Sequence, residues 1–289
     1  MSPVGRFAPS PTGELHLGSL YVALASYLSV KSKNGQWLIR MDDLDSQRSV
    51  TGAGQRIIDA LAAHGLKPDA PVIYQSKNSQ QYSAALTRLF SSGRLFGCSC
   101  SRKDLEGSPI YPGTCRSKPR DPTISTLRFR VGTETVSFPD RIMGAQQFRL
   151  NLETGDFIVR RRDASIAYPL ACAVDDGNGV ITEVLRGADL LSATAAQIRL
   201  MNALNLQPPG YGHLPVLRNN LGQKLSKQSF ARPLDANQSS RNIRLCLTWL
   251  GVPLPKSADS WSVGRLIEHA TPIFDIGLIP TNVPAGIAE

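Results

Sequence analysis

No stretch of the chain approaches the roughly 18 consecutive apolar residues that a membrane-crossing helix needs. The N-terminus also lacks a basic region followed by a long apolar run. A membrane span and a secretory leader are therefore not expected, and the expected location is the cytoplasm. Repeats of fixed period and low-complexity segments are missing too, which argues against a repeat array. Acid is short relative to base: 32 Lys and Arg against 23 Asp and Glu give a net charge of +9. That balance suits an acidic partner such as RNA, although a merely basic soluble enzyme would share it. Histidine is scarce, at four residues, and none lies near the cysteines. Cysteine is limited to five, of which three fall between positions 98 and 115. Such clustering suggests a metal site more than a disulfide framework. With 289 residues, 42% of them hydrophobic, the chain suits one sizeable globular domain with additions.

What is present begins with Arg6-Phe7-Ala8-Pro9-Ser10-Pro11-Thr12-Gly13-Glu14-Leu15-His16-Leu17-Gly18-Ser19. Val4 and Phe7 read as a buried first strand. Two prolines, Thr12 and Gly13 then make a sharp turn. Leu17, Leu20, Leu24 and Leu28 recur at spacings of three and four, which predicts a helix. A strand, a glycine-bearing turn and a helix start make a phosphate site, because backbone N–H groups and the helix dipole face one spot. His16 adds a donor, and Gly18 leaves room for a nucleotide.

Farther along, Gln36–Met41 reads as a second buried strand ending in Asp42-Asp43-Leu44-Asp45. Acids at that place lie at the ligand-binding mouth of a parallel sheet, or else cap the helix that starts near Val50. Helical patterns over 51–64 and 79–92 complete a strand–helix alternation of α/β type. Composition then changes at 95–116, where Cys98, Cys100 and Cys115 supply three soft ligands and zinc is the default metal. A fourth ligand is needed. Tyr111 lies between the cysteines but is a rare ligand type, and Asp104 or water would also serve. The metal's role would be structural, pinning a loop-rich insertion. Cys172 and Cys246 sit among apolar residues and read as core. Leu127–Val131 and Phe157–Arg160 alternate as half-exposed strands. The run Arg160-Arg161-Arg162 is either a solvated edge or an RNA phosphate contact. Val180–Leu185 reads as a strand with Arg186 at its end, where a guanidinium fits a carboxylate. A salt bridge from Arg186 to Asp189 is the plain alternative. A helix capped by Ser192 is predicted over 192–205, then a short strand over 213–217. Gln223-Lys224-Leu225-Ser226-Lys227-Gln228 read alone is a polar loop, followed by helices near 242–250 and 263–270.

The opening run resembles the first signature of class I aminoacyl-tRNA synthetases, in the form used by glutamyl-tRNA synthetases. His16-Leu17-Gly18-Ser19 stands where His-Ile-Gly-His lies, with Ser19 replacing the second histidine. Lys224-Leu225-Ser226-Lys227-Gln228 resembles the second signature, Lys-Met-Ser-Lys-Ser, with Gln228 in place of the final serine. Two signatures in the right order are far more specific than either alone, and the resemblance covers about residues 4–270.

The resemblance implies an α/β, Rossmann-like parallel-sheet class I catalytic domain with a zinc-bearing insertion and a short helical C-terminal part. The implied division is 1–96 and 164–238 for the catalytic domain, 97–163 for the insertion, and 239–289 for the helical region and tail. ATP with Mg²⁺ would be bound by His16, Gly18, Lys224 and Lys227, of which His16 and Lys227 stabilise phosphate charge. Glutamate would be held by Arg6, Ser10, Asp42, Tyr168 and Arg186. The family has glutamate at position 42, so Asp42 is one methylene short. Cys-x-Cys followed by Tyr-x-x-x-Cys resembles the insertion of short glutamyl-tRNA-synthetase paralogues, implying one zinc on Cys98, Cys100, Tyr111 and Cys115. Only residues 228–289 follow Lys227, too few for the anticodon-binding portion of a full synthetase. The nearest form is the short paralogues that esterify glutamate to queuosine in the anticodon of tRNA(Asp). The implied partners are ATP, L-glutamate and queuosine-containing tRNA(Asp), with a monomer expected. A truncated synthetase charging a tRNA 3′ end is the close alternative. A silent RNA-binding paralogue is another, against which the intact Arg6, His16, Arg186 and Lys227 argue.

Overall fold

The apolar opening of the chain forms β1 (Val4–Phe7), and the leucine stripe behind it forms α1 (Leu17–Lys31). β2 (Gln36–Met41) runs parallel to β1, Gly5 beside Trp37 and Phe7 beside Ile39. α2 (Ala53–Ala63), the short β3 (Ile73–Tyr74) and α3 (Ser79–Ser91) follow. These elements belong to a computed structural model that describes residues 2–101, 103–108, 110–218 and 232–282. Lys224, Lys227 and Gln228 lie outside the described residues.

β4 (Leu95–Cys98) leads into β5 (Thr126–Phe129), β6 (Val136–Asp140), β7 (Gly144–Phe148), the one-turn α4 (Leu150–Glu153) and β8 (Ile158–Arg160). The chain then forms α5 (Tyr168–Asp176), β9 (Glu183–Gly187), α6 (Leu191–Ala203) and β10 (Gly210–Leu214). α7 (Ser239–Trp249) and α8 (Val263–Ile273) come last. Seven strands make the main sheet in the order β3-β2-β1-β9-β10-β6-β7, parallel except at the β6–β7 hairpin. β4, β5 and β8 make a separate antiparallel sheet. Strand order reverses around β1, and in such sheets a crevice opens beyond the strand ends at that point.

Two apolar layers hold the main sheet. On one side Leu24, Leu28, Trp37, Ile57, Leu247 and Leu266 pack together; on the other, Tyr82, Leu89, Leu170, Ala195 and Leu200. α1 lies beneath α7 and α8, so it is buried nearly all round and has little polar face. Its buried serines find partners: Ser26 Oγ accepts from the Trp37 indole at 2.9 Å, and Ser29 donates to Glu183. No helix among the described residues is long and apolar enough to cross a membrane.

Some boundaries differ from expectation. Residues 97–163 are not one appendage, because β6 and β7 extend the main sheet. Phe138 holds that edge, stacked on Phe148 at 6.1 Å and edge-on to Tyr211 at 5.8 Å. The alternation of Val136, Phe138 and Asp140 carried the signal. β9 starts at Glu183 while Val180 is exposed, so Arg186 lies inside the strand and pairs in register with His213. β10 likewise spans 210–214 instead of 213–217. Ser192 falls inside the first turn of α6 and does not cap it; a 3-10 turn over Ala188–Leu190 starts that helix.

Candidate active site and thiolate cluster

At the carboxyl ends of β1, β2 and β9 lies a cleft of about 540 Å³. Arg6, Ser10, His16, Gly18, Asp42, Tyr168 and Arg186 all line it, brought together from four separated segments. A parallel sheet does this because its strands end at one edge, however distant they are in sequence.

The floor is a buried charge network. Asp176, at the end of α5, accepts from Arg6 at 2.8 and 3.2 Å and from Arg40 at 2.5 Å. Arg40 turns its Nε toward Asp42 Oδ1 at 2.7 Å. Burial opposes the charge on Asp176, but Arg40 and Arg6 hold its carboxyl far below the usual range. Asp42 goes the other way: burial raises it, and Arg40 only partly compensates. Cys172, expected as plain core, is buried but touches this network, with Sγ 3.5 Å from Arg40 and 3.7 Å from Asp42. Arg40 and Asp176 were not picked out as site residues from the sequence. The available signal was a lone charge within the apolar run Trp37-Leu38-Ile39-Arg40-Met41, since such charges are almost never buried unpaired.

Arg186 is held from behind. Its Nη2 donates to Thr194 Oγ1 and Gln197 Oε1, each at 2.6 Å, and its Nε lies 3.3 Å from His213 Nε2. His213 Nδ1 lies 2.5 Å from Asp140 Oδ2, which assigns the ring proton to Nδ1 and leaves Nε2 to accept. Burial lowers the His213 pKa, so the imidazole is neutral at pH 7. Arg186 Nη1 then points toward Tyr168, 3.5 Å from its hydroxyl. Hydrogen bonds to four side chains thus fix the fork, and the sequence pattern marked none of Thr194, Gln197, His213 or Asp140.

His16 is the N-cap of α1, and its Nδ1 accepts from the Ser19 backbone N–H at 3.3 Å. Nε2 is therefore the protonated nitrogen. The positive end of α1 stands beside it, an arrangement suited to phosphate.

Apart from the cleft, Cys98, Cys100 and Cys115 gather with their sulfurs within 4.8 Å of one another, and all three thiols are free. Cys100 and Cys115 sulfurs are 3.7 Å apart, and Tyr111 Oη lies 3.4 Å from Cys98 Sγ. A tetrahedral zinc with Zn–S bonds of about 2.3 Å needs sulfurs roughly 3.8 Å apart, so the donor set fits a metal. Burial works against a Cys115 thiolate, yet hydrogen bonds led by the Ser99 backbone bring it down to about 7. Cys100 is pushed up to about 11 by burial and by Cys115 and Cys98. Neighbouring thiolates resist one another unless a cation joins them. Asp104 is outside the cluster, its carboxylate accepting from the Ser101 N–H at 2.7 Å and hydroxyl at 2.9 Å. Gly97 permits the approach of the neighbouring loop, because a Cβ there would meet Arg120 O at 2.1 Å.

Residues 4–242 match the family model for tRNA synthetases class I (E and Q), catalytic domain. Fold and cleft accordingly define a class I synthetase catalytic domain. Over 280 residues the chain is 44% identical to a glutamyl-Q tRNA(Asp) synthetase of Methylococcus capsulatus, covering 96% of this chain and 92% of that protein. A second, from Chromobacterium violaceum, is 42% identical over 286 residues, 96% of this chain and 95% of its own length. The chain belongs to the glutamyl-Q tRNA(Asp) synthetase family. A crystal structure of a glutamate tRNA ligase from Elizabethkingia meningosepticum superposes with a TM-score of 0.81 at 23% identity, over 99% of this chain and 67% of that one. At that identity the likeness concerns the fold.

Proposed function

We propose that the protein activates L-glutamate with ATP and transfers it to queuosine in the anticodon of tRNA(Asp). The observation that carries this reading is the convergence of Arg6, Asp42 and Arg186 with the His16-bearing start of α1 on one cleft. Arg6 and Arg186 favour the carboxylates of a small diacid, and Asp42 offers the opposite charge to its ammonium. Ser10 and Tyr168 add hydroxyls to the same wall.

Activation begins when a glutamate carboxylate oxygen attacks the α-phosphorus of ATP. The bond from that phosphorus to the bridging oxygen breaks, and pyrophosphate leaves with the electron pair. A hydroxyl of the acceptor next attacks the carbonyl carbon of the mixed anhydride. AMP departs with the bonding pair and its oxygen takes up the hydroxyl proton. No protein nucleophile is needed. The chain's contribution is to orient two reactants and to meet phosphate charge as it develops. His16 donates to the phosphates from Nε2, with Gly18 leaving them room. The resemblance adds Lys224 and Lys227. Mg²⁺ accompanying ATP would neutralise part of the triphosphate charge.

Cys98, Cys100, Cys115 and Tyr111 would hold one zinc, which cross-links a segment with little apolar core of its own. ATP and tRNA as substrates put the reaction in the cytoplasm, and one chain supplies every residue named for the cleft, so a monomer suffices. The test is ATP–pyrophosphate exchange across the amino acids, followed by transfer to tRNA(Asp) with and without queuosine. Exchange with glutamate and labelling of the queuosine-containing tRNA alone is the expected result. Equal labelling of unmodified tRNA, or labelling at the 3′ end, would sink the reading.

A further inference from the structure

A second cavity, of about 450 Å³, lies between the β4–β5–β8 sheet and the start of α5. Tyr168 forms part of its wall and also part of the wall of the cleft, so the two spaces adjoin through one side chain. Arg128 and Arg161 line the cavity, and among the described residues no acidic side chain does. Arg128 is only 7% exposed, and its Nε has no hydrogen-bond partner. Its Nη1 is used by the Asp156 carbonyl at 2.7 Å, and its guanidinium lies 3.9 Å over the Tyr111 ring. The other arginine, Arg161, reaches across to Asp45 at 3.3 Å from a half-exposed position. That pair is weak, because both partners are wet.

Buried donors without partners are costly, and a guanidinium fork matches phosphate oxygens. Two arginines without a lining carboxylate therefore select an anion. Ser108 and Thr154 sit in the same wall, as do the rings of Tyr111, Phe157 and Tyr168. Anion donors beside aromatic faces are the pairing that holds single-stranded nucleic acid, where arginines take the backbone and bases stack on rings. A volume of a few hundred cubic ångströms suits a small ligand or part of a larger one.

We propose that this cavity is a phosphate subsite for the polynucleotide acceptor, gripping the backbone next to the nucleoside that receives the glutamyl group. The subsite rests on the transfer reading above. It gives Arg161 a job that its exposed pair with Asp45 does not explain, and it sets the incoming RNA against the cleft on the Tyr168 side.

The experiment measures the Kd of a synthetic queuosine-containing anticodon stem–loop of tRNA(Asp) as a function of KCl. Wild type is compared with Arg161→Gln, Arg128→Lys and the charge control Arg265→Gln, an exposed position on α8. Loss of one phosphate contact should make the slope of log Kd against log salt shallower by about 0.7. We expect that change, with Kd about five- to tenfold weaker at low salt, for Arg161→Gln. Arg128→Lys should weaken binding while keeping the net charge, and Arg265→Gln should keep the wild-type slope. An unchanged slope in Arg161→Gln, or an equal change in Arg265→Gln, overturns the subsite. Wild-type glutamylation of the same hairpin is measured alongside. Its absence brings down the transfer reading, whereas its presence with an unaltered Arg161→Gln brings down the subsite alone.

Discussion

Arg40 donates from Nη1 to Asp176 Oδ1 at 2.5 Å, with the two side chains 5% and 0% exposed. The first comes from β2 and the second from the end of α5. Arg6 shares the same carboxylate, so removing its charge takes the ion pair from the buried Arg6 and leaves the buried Arg40 to lean on Asp42 and Asp175. Asp176→Asn should destabilise the fold by about 3–5 kcal/mol, the range for breaking a buried ion pair by deleting one partner. Urea unfolding monitored by tryptophan fluorescence checks this, and a loss under about 1 kcal/mol would mean the network is not structural.

The same group shapes the acid limb of stability. Asp176 has a folded pKa below its unfolded value of about 3.9, so its contribution is complete above that pH and is lost as pH falls below it. For Asp42 the folded pKa is raised, so the stabilising effect of its bound proton is present at low pH and fades as pH rises through that value. The two slopes oppose. Asp42→Asn should therefore steepen the fall in urea midpoint on going below about pH 5, and Asp176→Asn should flatten it; each titrating group accounts for at most about 1.4 kcal/mol per pH unit. The reverse pattern would show that the charge assignments are wrong.

His16 caps α1 through Nδ1 and presents Nε2 as a donor. Its replacement by alanine should lower ATP–pyrophosphate exchange by about 10²–10³-fold, the scale for one preorganised donor. Loss of the cap alone costs about 1 kcal/mol of stability, and the thermal midpoint distinguishes the two effects. Exchange within a few-fold of wild type would remove His16 from the proposed chemistry.

Purified protein should carry close to one zinc per chain, released by chelators together with faster amide exchange at 97–116. Cys115→Ser should lose the metal, while Tyr111→Phe should bind it more weakly and keep the three sulfurs in place. The main sheet should keep its exchange protection, since its two apolar layers do not include the cluster. A full complement of metal in Cys115→Ser would disprove the ligand set.

Much of this was legible along the chain. The leucine spacing announced α1, the aliphatic runs announced β1 and β2, and Cys98, Cys100 and Cys115 announced a cluster. Asp42 and Arg186 stood out as charges expected at strand ends, where a parallel sheet binds ligands, although Arg186 lies inside β9; Arg6 came only from the family resemblance. The hairpin of β6 and β7 was hidden within a segment whose composition looked like an insertion; what joins it to the main sheet is long-range, the parallel pairing of β6 with β10 and the edge-on contact of Phe138 with Tyr211.

By itself the sequence determined which segments become strands and helices and which side chains bring charge or sulfur, because periodicity and residue chemistry are local. Tertiary structure alone decided who partners whom. Asp176 meets Arg6 across 170 positions and Arg40 across 136, and His213 reaches Asp140 across 73. Burial makes such pairs obligatory, but local spacing does not encode a contact that exists only after the sheet has assembled.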